Sequence, residues 1–234
     1  MKHNAKILTA FISLFLLAQV LGIFLLGLNI QEVVKTSTGT SVIYGNTSIG
    51  ERPEVEGYST LIYIGIGVGI GTILLLILAR FNKTKVWKVW FLLASWMTMS
   101  ISIGVMFGEK TSWIALVIAA GLAVLKVKWI HPVIHNITEL LTYAGIAVLL
   151  SPILSVGISI ILLLLISVYD AYAVWKSKHM IKLAEFTKKS NLFPGLALTY
   201  TKDGIENTIH SSNSSKSHKE IRENDKERPS AKVS

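Results

Sequence analysis

The chain reads as an all-α polytopic membrane protein with six transmembrane helices and a disordered cytoplasmic tail. Three observations predict this class. Of 234 residues, 51% are hydrophobic and only 16% charged, with a mean hydropathy of +0.55; a soluble domain carries about 25% charged residues. The apolar residues gather in long runs, several near the ~20 residues needed to cross a ~30 Å hydrocarbon core. The basic residues behind the net charge of +9 flank those runs and do not form a soluble basic face. Nucleic acid is therefore excluded as a partner, and the lipid bilayer is the expected one. With no cysteine in the chain, disulfides and thiolate metal sites are excluded as well.

Six apolar segments run approximately Ile7–Ile30, Leu61–Ala79, Val89–Phe107, Ser112–Leu125, Leu140–Leu150 and Ile153–Trp175. The first has a basic start at Lys2 and Lys6. Its apolar run of about 24 residues exceeds the core of a secretory signal, and no Ala-x-Ala site follows, so a retained helix is expected. The second carries Gly65, Gly67, Gly69 and Gly71. Their Gly-xxx-Gly spacing permits close helix approach, with packing inside the chain as the expected use and a homodimer face as the other. The fourth segment is short. The fifth reaches spanning length only if it begins in the polar lead-in near Asn136–Glu139, and Pro152 marks the turn into the sixth.

Orientation follows from Lys and Arg. With a cytoplasmic N-terminus and six crossings, 20 of the 23 basic residues fall inside and only Lys35, Arg52 and Lys110 outside. Both termini are then cytoplasmic, in a multi-pass protein of the cell membrane. Residues 1–200 form the membrane domain. Residues 201–234 are rich in Ser, Asn, Lys and Glu and are expected to be disordered.

Candidate chemistry is sparse. His131 and His135 have the i, i+4 spacing that can present two imidazoles to zinc, but Pro132 lies between them and no Glu follows His131. They read as interfacial histidines in a loop, so no metal and no cofactor are expected. Serines are plentiful in the apolar segments, but no histidine lies inside an apolar core to activate one. Asp170 stands apart as the one carboxylate within a long apolar run, about five residues before the sixth segment's end at Trp175. A charged side chain at mid-bilayer costs roughly 2.5–3.5 kcal/mol on insertion scales, so such residues mark function or are held by a neighbouring hydroxyl.

The segment Tyr169-Asp-Ala-Tyr-Ala-Val-Trp-Lys-Ser-Lys-His-Met-Ile-Lys-Leu-Ala-Glu185 resembles the sixth helix and following turn of the presenilin and signal peptide peptidase family, in its archaeal-type members. Asn136-Ile-Thr-Glu-Leu-Leu-Thr-Tyr-Ala-Gly145, leading to Ser151-Pro-Ile153, is similar to that family's fifth helix. The resemblance covers residues 5 to about 200 and implies intramembrane aspartic endopeptidase chemistry on transmembrane peptide substrates. It implies Asp170 as one catalytic carboxylate, supported by Tyr169. The family's second aspartate, in Gly-x-Gly-Asp, and its Pro-Ala-Leu motif are absent. The other aspartates, Asp203 and Asp225, lie in the polar tail, and Pro194-Gly-Leu-Ala-Leu198 matches Pro-Ala-Leu only in part. The resemblance therefore implies an N-terminal half, inactive alone, whose partner is a separate half carrying Gly-x-Gly-Asp. A truncated product, a split subunit and a degenerate member all fit. Two other classes stay open: a non-catalytic membrane scaffold, and a transporter or proton-pathway subunit built on Asp170.

Overall fold

The computed structural model describes residues 5–36, 39–55, 57–108, 111–128, 131–177, 179–190, 192, 194–201 and 204–206. Helix dominates. α1 spans Ala5–Leu28, α2 Tyr58–Arg80, α3 Thr84–Phe107, α4 Ser112–Lys128, α5 Pro132–Leu150, α6 Val156–Trp175 and α7 His179–Ser190. A hairpin of β1 (Ile30–Thr36) and β2 (Gly39–Tyr44) follows α1, with Val33 opposite Val42. A second short pair, β3 (Thr199–Thr201) and β4 (Gly204–Glu206), stands where the polar tail was expected to begin. The rest of the tail, Asp203 and Asp225 included, lies outside the described residues.

All six sequence segments are helical. Five of them are long and apolar enough to cross a membrane: α1, α2, α3, α6, and α5 together with the 3-10 turn Ser151–Ile153. α4 has 17 residues, about 25 Å at 1.5 Å per residue, which is short of a ~30 Å core. α5 starts earlier than its apolar run. Pro132 is its first residue, where a missing N–H costs nothing, and His131 caps it in an extended conformation. His135 thus lies within the helix and not in a loop, and Asn136 and Glu139 lie inside it, as spanning length requires. Ser155 starts α6 by accepting a hydrogen bond from the Ile158 N–H.

α3 is the central element, packed mainly on α4 and α5, and α1 packs on α5 and meets α3 where Leu25 joins Ile101, Ala144 and Val148. Small side chains set these contacts. Ala115, Ala119 and Ala123 of α4, a strict i, i+4 stripe, are fully buried against Met99 and Ile103. A β-carbon at Gly145 of α5 would stand 1.9 Å from the carbonyl oxygen of Thr98, so only glycine lets α5 approach α3 there. The α2 glycines behave otherwise: added β-carbons at Gly65, Gly67, Gly69 and Gly71 meet nothing within 4 Å. The expected packing inside the chain is not their use among the described residues.

The bundle has two distinct ends. At one, Leu78, Trp87, Phe91, Phe186 and Leu192 join α2, α3, α7 and the segment after α7. Arg80, Lys83, Lys85, Lys88, Lys126 and Lys128 belong to this end. At the other, the loop after β2 folds over the C-terminal parts of α3 and α5. Ser48 donates to the Ser100 carbonyl at 2.6 Å, and Arg52 donates through Nη1 to the Val148 carbonyl at 2.7 Å and through Nε to Gly45 at 2.8 Å. Burial lowers the Arg52 pKa, which Tyr44 partly counters. A guanidinium nonetheless stays charged at any physiological pH.

Candidate active site

Asp170 lies five residues before the end of α6, near the basic end of the bundle. Its side chain is exposed and makes no hydrogen bond or ion pair among the described residues. The setting is built by its neighbour. The Tyr169 hydroxyl lies 3.3 Å from Thr72 Oγ1 on α2 and 3.1 Å from His179 Nε2 at the start of α7, and its ring packs on the His179 ring at 5.8 Å between centroids. Ser177 Oγ engages the other imidazole nitrogen of His179. Tyr169 therefore ties α6 to α2 and to α7. Adjacent helical residues diverge by about 100°, so fixing Tyr169 between helices directs Asp170 away from them.

α6 is thinly packed. Of its side chains only Ile158 and Ala173 are buried, while Leu163, Leu164, Leu165 and Val168 are 56–70% exposed. α6 also stands off α5, leaving a cleft of about 400 Å³ lined by Tyr143, Ile146, Ala147, Ser151 and Ser159. A neighbouring groove of about 500 Å³ shares Tyr143, Ala147 and Ser151 and runs toward Gln19 and Gly22 of α1.

A second polar constellation escaped the sequence reading. Lys126 Nζ of α4 lies 2.8 Å from Glu139 Oε1 of α5, and both side chains are almost fully buried. Lys126 also lies 4.9 Å from the Phe91 ring centroid and 3.5 Å from Ser95 Oγ. His135 Nε2 is 3.9 Å from the same carboxylate oxygen and 2.8 Å from the Gly195 carbonyl. Asn136 exchanges two 3.0 Å hydrogen bonds with the Ala197 backbone. The Pro194–Leu198 segment, which shares letters with Pro-Ala-Leu, is thus docked on the first turns of α5.

Glu139 is therefore a second carboxylate within a spanning helix, which corrects the picture of Asp170 as the lone one. It is no partner for Asp170, since its charge is met by Lys126. His135 is buried where an interfacial position was expected, and His131 is exposed. Among the described residues no group of three His, Cys, Asp or Glu side chains is placed to hold a metal. The signal that could have found the cluster is one basic and one acidic residue on the two helices that flank a short connection, Lys126 at the end of α4 and Glu139 in the early turns of α5.

No family model, curated protein or solved structure matches the chain.

Proposed function

We propose that the chain is the N-terminal half of a presenilin/signal-peptide-peptidase-like intramembrane aspartic endopeptidase that hydrolyses peptide bonds of transmembrane segments. Asp170 supplies one of two catalytic carboxylates and Tyr169 positions it. The observation that carries this reading is the setting of Asp170. Ionisable side chains in spanning helices almost always face protein or a water-filled cavity. Asp170 instead leaves the described bundle from a helix with an unpacked face, beside a tyrosine held from two other elements. A helix bearing Gly-x-Gly-Asp, packed on α6, would supply both the missing neighbour and the second carboxylate.

The chemistry then follows. Two carboxylates a few ångströms apart share a proton, because both cannot ionise at that distance. The ionised one takes a proton from water as it attacks, and the protonated one donates to the scissile carbonyl oxygen. The peptide must unwind locally, since a helical peptide bond is shielded by its own backbone. The reading includes six crossings, with α4 crossing despite its length, and both termini in the cytoplasm. The gathering of basic residues at the end where α2, α4 and α7 meet supports that orientation. The purified chain alone is expected to leave a transmembrane reporter peptide uncut in proteoliposomes. Cleavage by the chain alone that disappears in Asp170→Ala would overturn the half-site reading.

The buried Lys126–Glu139–His135 group favours a second reading, a proton-pathway subunit, because such proteins carry several ionisable residues within the bundle. Proton flux into vesicles that is abolished by Glu139→Gln would select it. Flux no greater than in protein-free vesicles would remove it.

A further inference from the structure

α7 lies across the C-terminal end of α2 and forms with it an open cavity of about 430 Å³ whose charged side chains are exposed. Arg80 and Asn82 line it from α2 and the turn that follows. Lys182, Glu185, Phe186 and Lys189 line it from α7. The spacing explains the grouping: 182, 185, 186 and 189 fall on one face of a helix. Phe186 is buried against α2 and α3 and anchors α7 in place. Asn82 adopts a left-handed conformation, φ 51°, that ends α2 and turns the chain at the rim. The wall therefore carries three cations and one carboxylate. None of the three cations has an ion pair among the described residues.

The surroundings decide what such a cavity takes. α2 is a spanning helix whose outward face beside the cavity is apolar: Ile73, Ile77 and Phe81 are 48–64% exposed. A ligand held here meets cations at the end of the span and hydrocarbon-facing side chains along it. Basic pockets between helices at this depth suit anionic lipid headgroups. We propose that the α2–α7 cavity is a binding site for an anionic phospholipid. Its phosphate sits among Arg80, Lys182 and Lys189, and its acyl chains run along Ile77 and Ile73. The inference rests on α2 being a spanning helix and is independent of the protease reading.

Native mass spectrometry of the full chain in detergent tests it, with equimolar phosphatidylglycerol and phosphatidylcholine of the same acyl chains. Phosphatidylglycerol is expected to remain bound and phosphatidylcholine to dissociate. The triple variant Arg80→Gln/Lys182→Gln/Lys189→Gln should weaken phosphatidylglycerol binding by about a hundredfold, given the worth of each basic residue at an anionic surface. Lys35→Gln/Lys85→Gln/Lys128→Gln, with the same loss of charge outside the cavity, should leave it within about threefold. Equal retention of the two lipids, or equal loss in both triple variants, overturns the proposal. So does displacement of the lipid by soluble glycerophosphoglycerol at equal concentration, which would make this a free phosphate site. If the cavity triple does not fold, Glu185→Gln serves instead: removing the one acid should tighten phosphatidylglycerol binding, and unchanged or weaker binding contradicts the site.

Discussion

Gly145 shows how much a single hydrogen atom decides in this bundle. A methyl group there would collide with the Thr98 carbonyl, which is backbone and cannot rotate away. Gly145→Ala must therefore push α5 off α3, and overpacking of this kind costs about 1–3 kcal/mol. The melting midpoint in detergent should fall clearly. Gly65→Ala on α2, where the new methyl meets nothing, should stay within about 0.5 kcal/mol. Equal effects of the two would contradict the packing described. Sequence pattern pointed to the α2 glycines because four of them share a spacing. It had no means to single out Gly145, because the atom that excludes a β-carbon belongs to another helix. Arg52 makes a similar point. Its planar fork serves two backbone carbonyls at once, a geometry that lysine lacks. Arg52→Lys should leave one of those carbonyls unmet and loosen the loop after β2. Faster cleavage between Gly45 and Glu54 by a soluble protease would report it, and an unchanged rate would contradict the clamp.

At the scale of elements, the long apolar runs made α1, α2, α3 and α6 legible, since ~20 such residues have few other uses. The start of α5 was legible only in part: spanning length required an entry near Asn136–Glu139, but nothing pointed back to Pro132 and a helical His135. Its first two turns carry His135, Asn136 and Glu139, which read as a polar approach to the membrane. They belong to the helix because each finds a partner: Gly195, Ala197 and Lys126. Such pairings cross between elements and leave no trace in a local pattern. α7 was missed as a separate helix for another reason. Its apolar positions, with Phe186 buried against α2 and α3, make a stripe on a helix that is polar overall, and no long run announces it. The Lys126–Glu139 pair yields a stability prediction. Removing one partner of a buried pair strands the other charge at a cost of about 3–5 kcal/mol, whereas replacing both with apolar residues is often neutral or better. Lys126→Met and Glu139→Leu should each lower the melting midpoint, and the double variant should recover most of the loss. A double variant as unstable as the sum of the singles would show that the two side chains do not act as a pair.

For the whole molecule, the instructive feature is unequal packing. α3, α4 and α5 bury continuous interfaces, while α2 and α6 leave most of their side chains outside the described bundle. Lipid can cover the apolar part of those surfaces, but it cannot satisfy a carboxylate. The sequence located Asp170 and the resemblance suggested its chemistry. The structure adds that the residue leaves the bundle from one of its two thinly packed helices, with Tyr169 fixed behind it. A catalytic dyad needs a second carboxylate facing α6. The most direct test is cleavage of a transmembrane reporter peptide in proteoliposomes holding this chain together with a second polypeptide that carries a Gly-x-Gly-Asp helix. Cleavage is expected only with both chains present, and it should be lost in Asp170→Asn while the melting midpoint stays unchanged. No cleavage by the pair, which is the outcome for a non-catalytic scaffold, or cleavage that survives Asp170→Asn, would contradict the dyad.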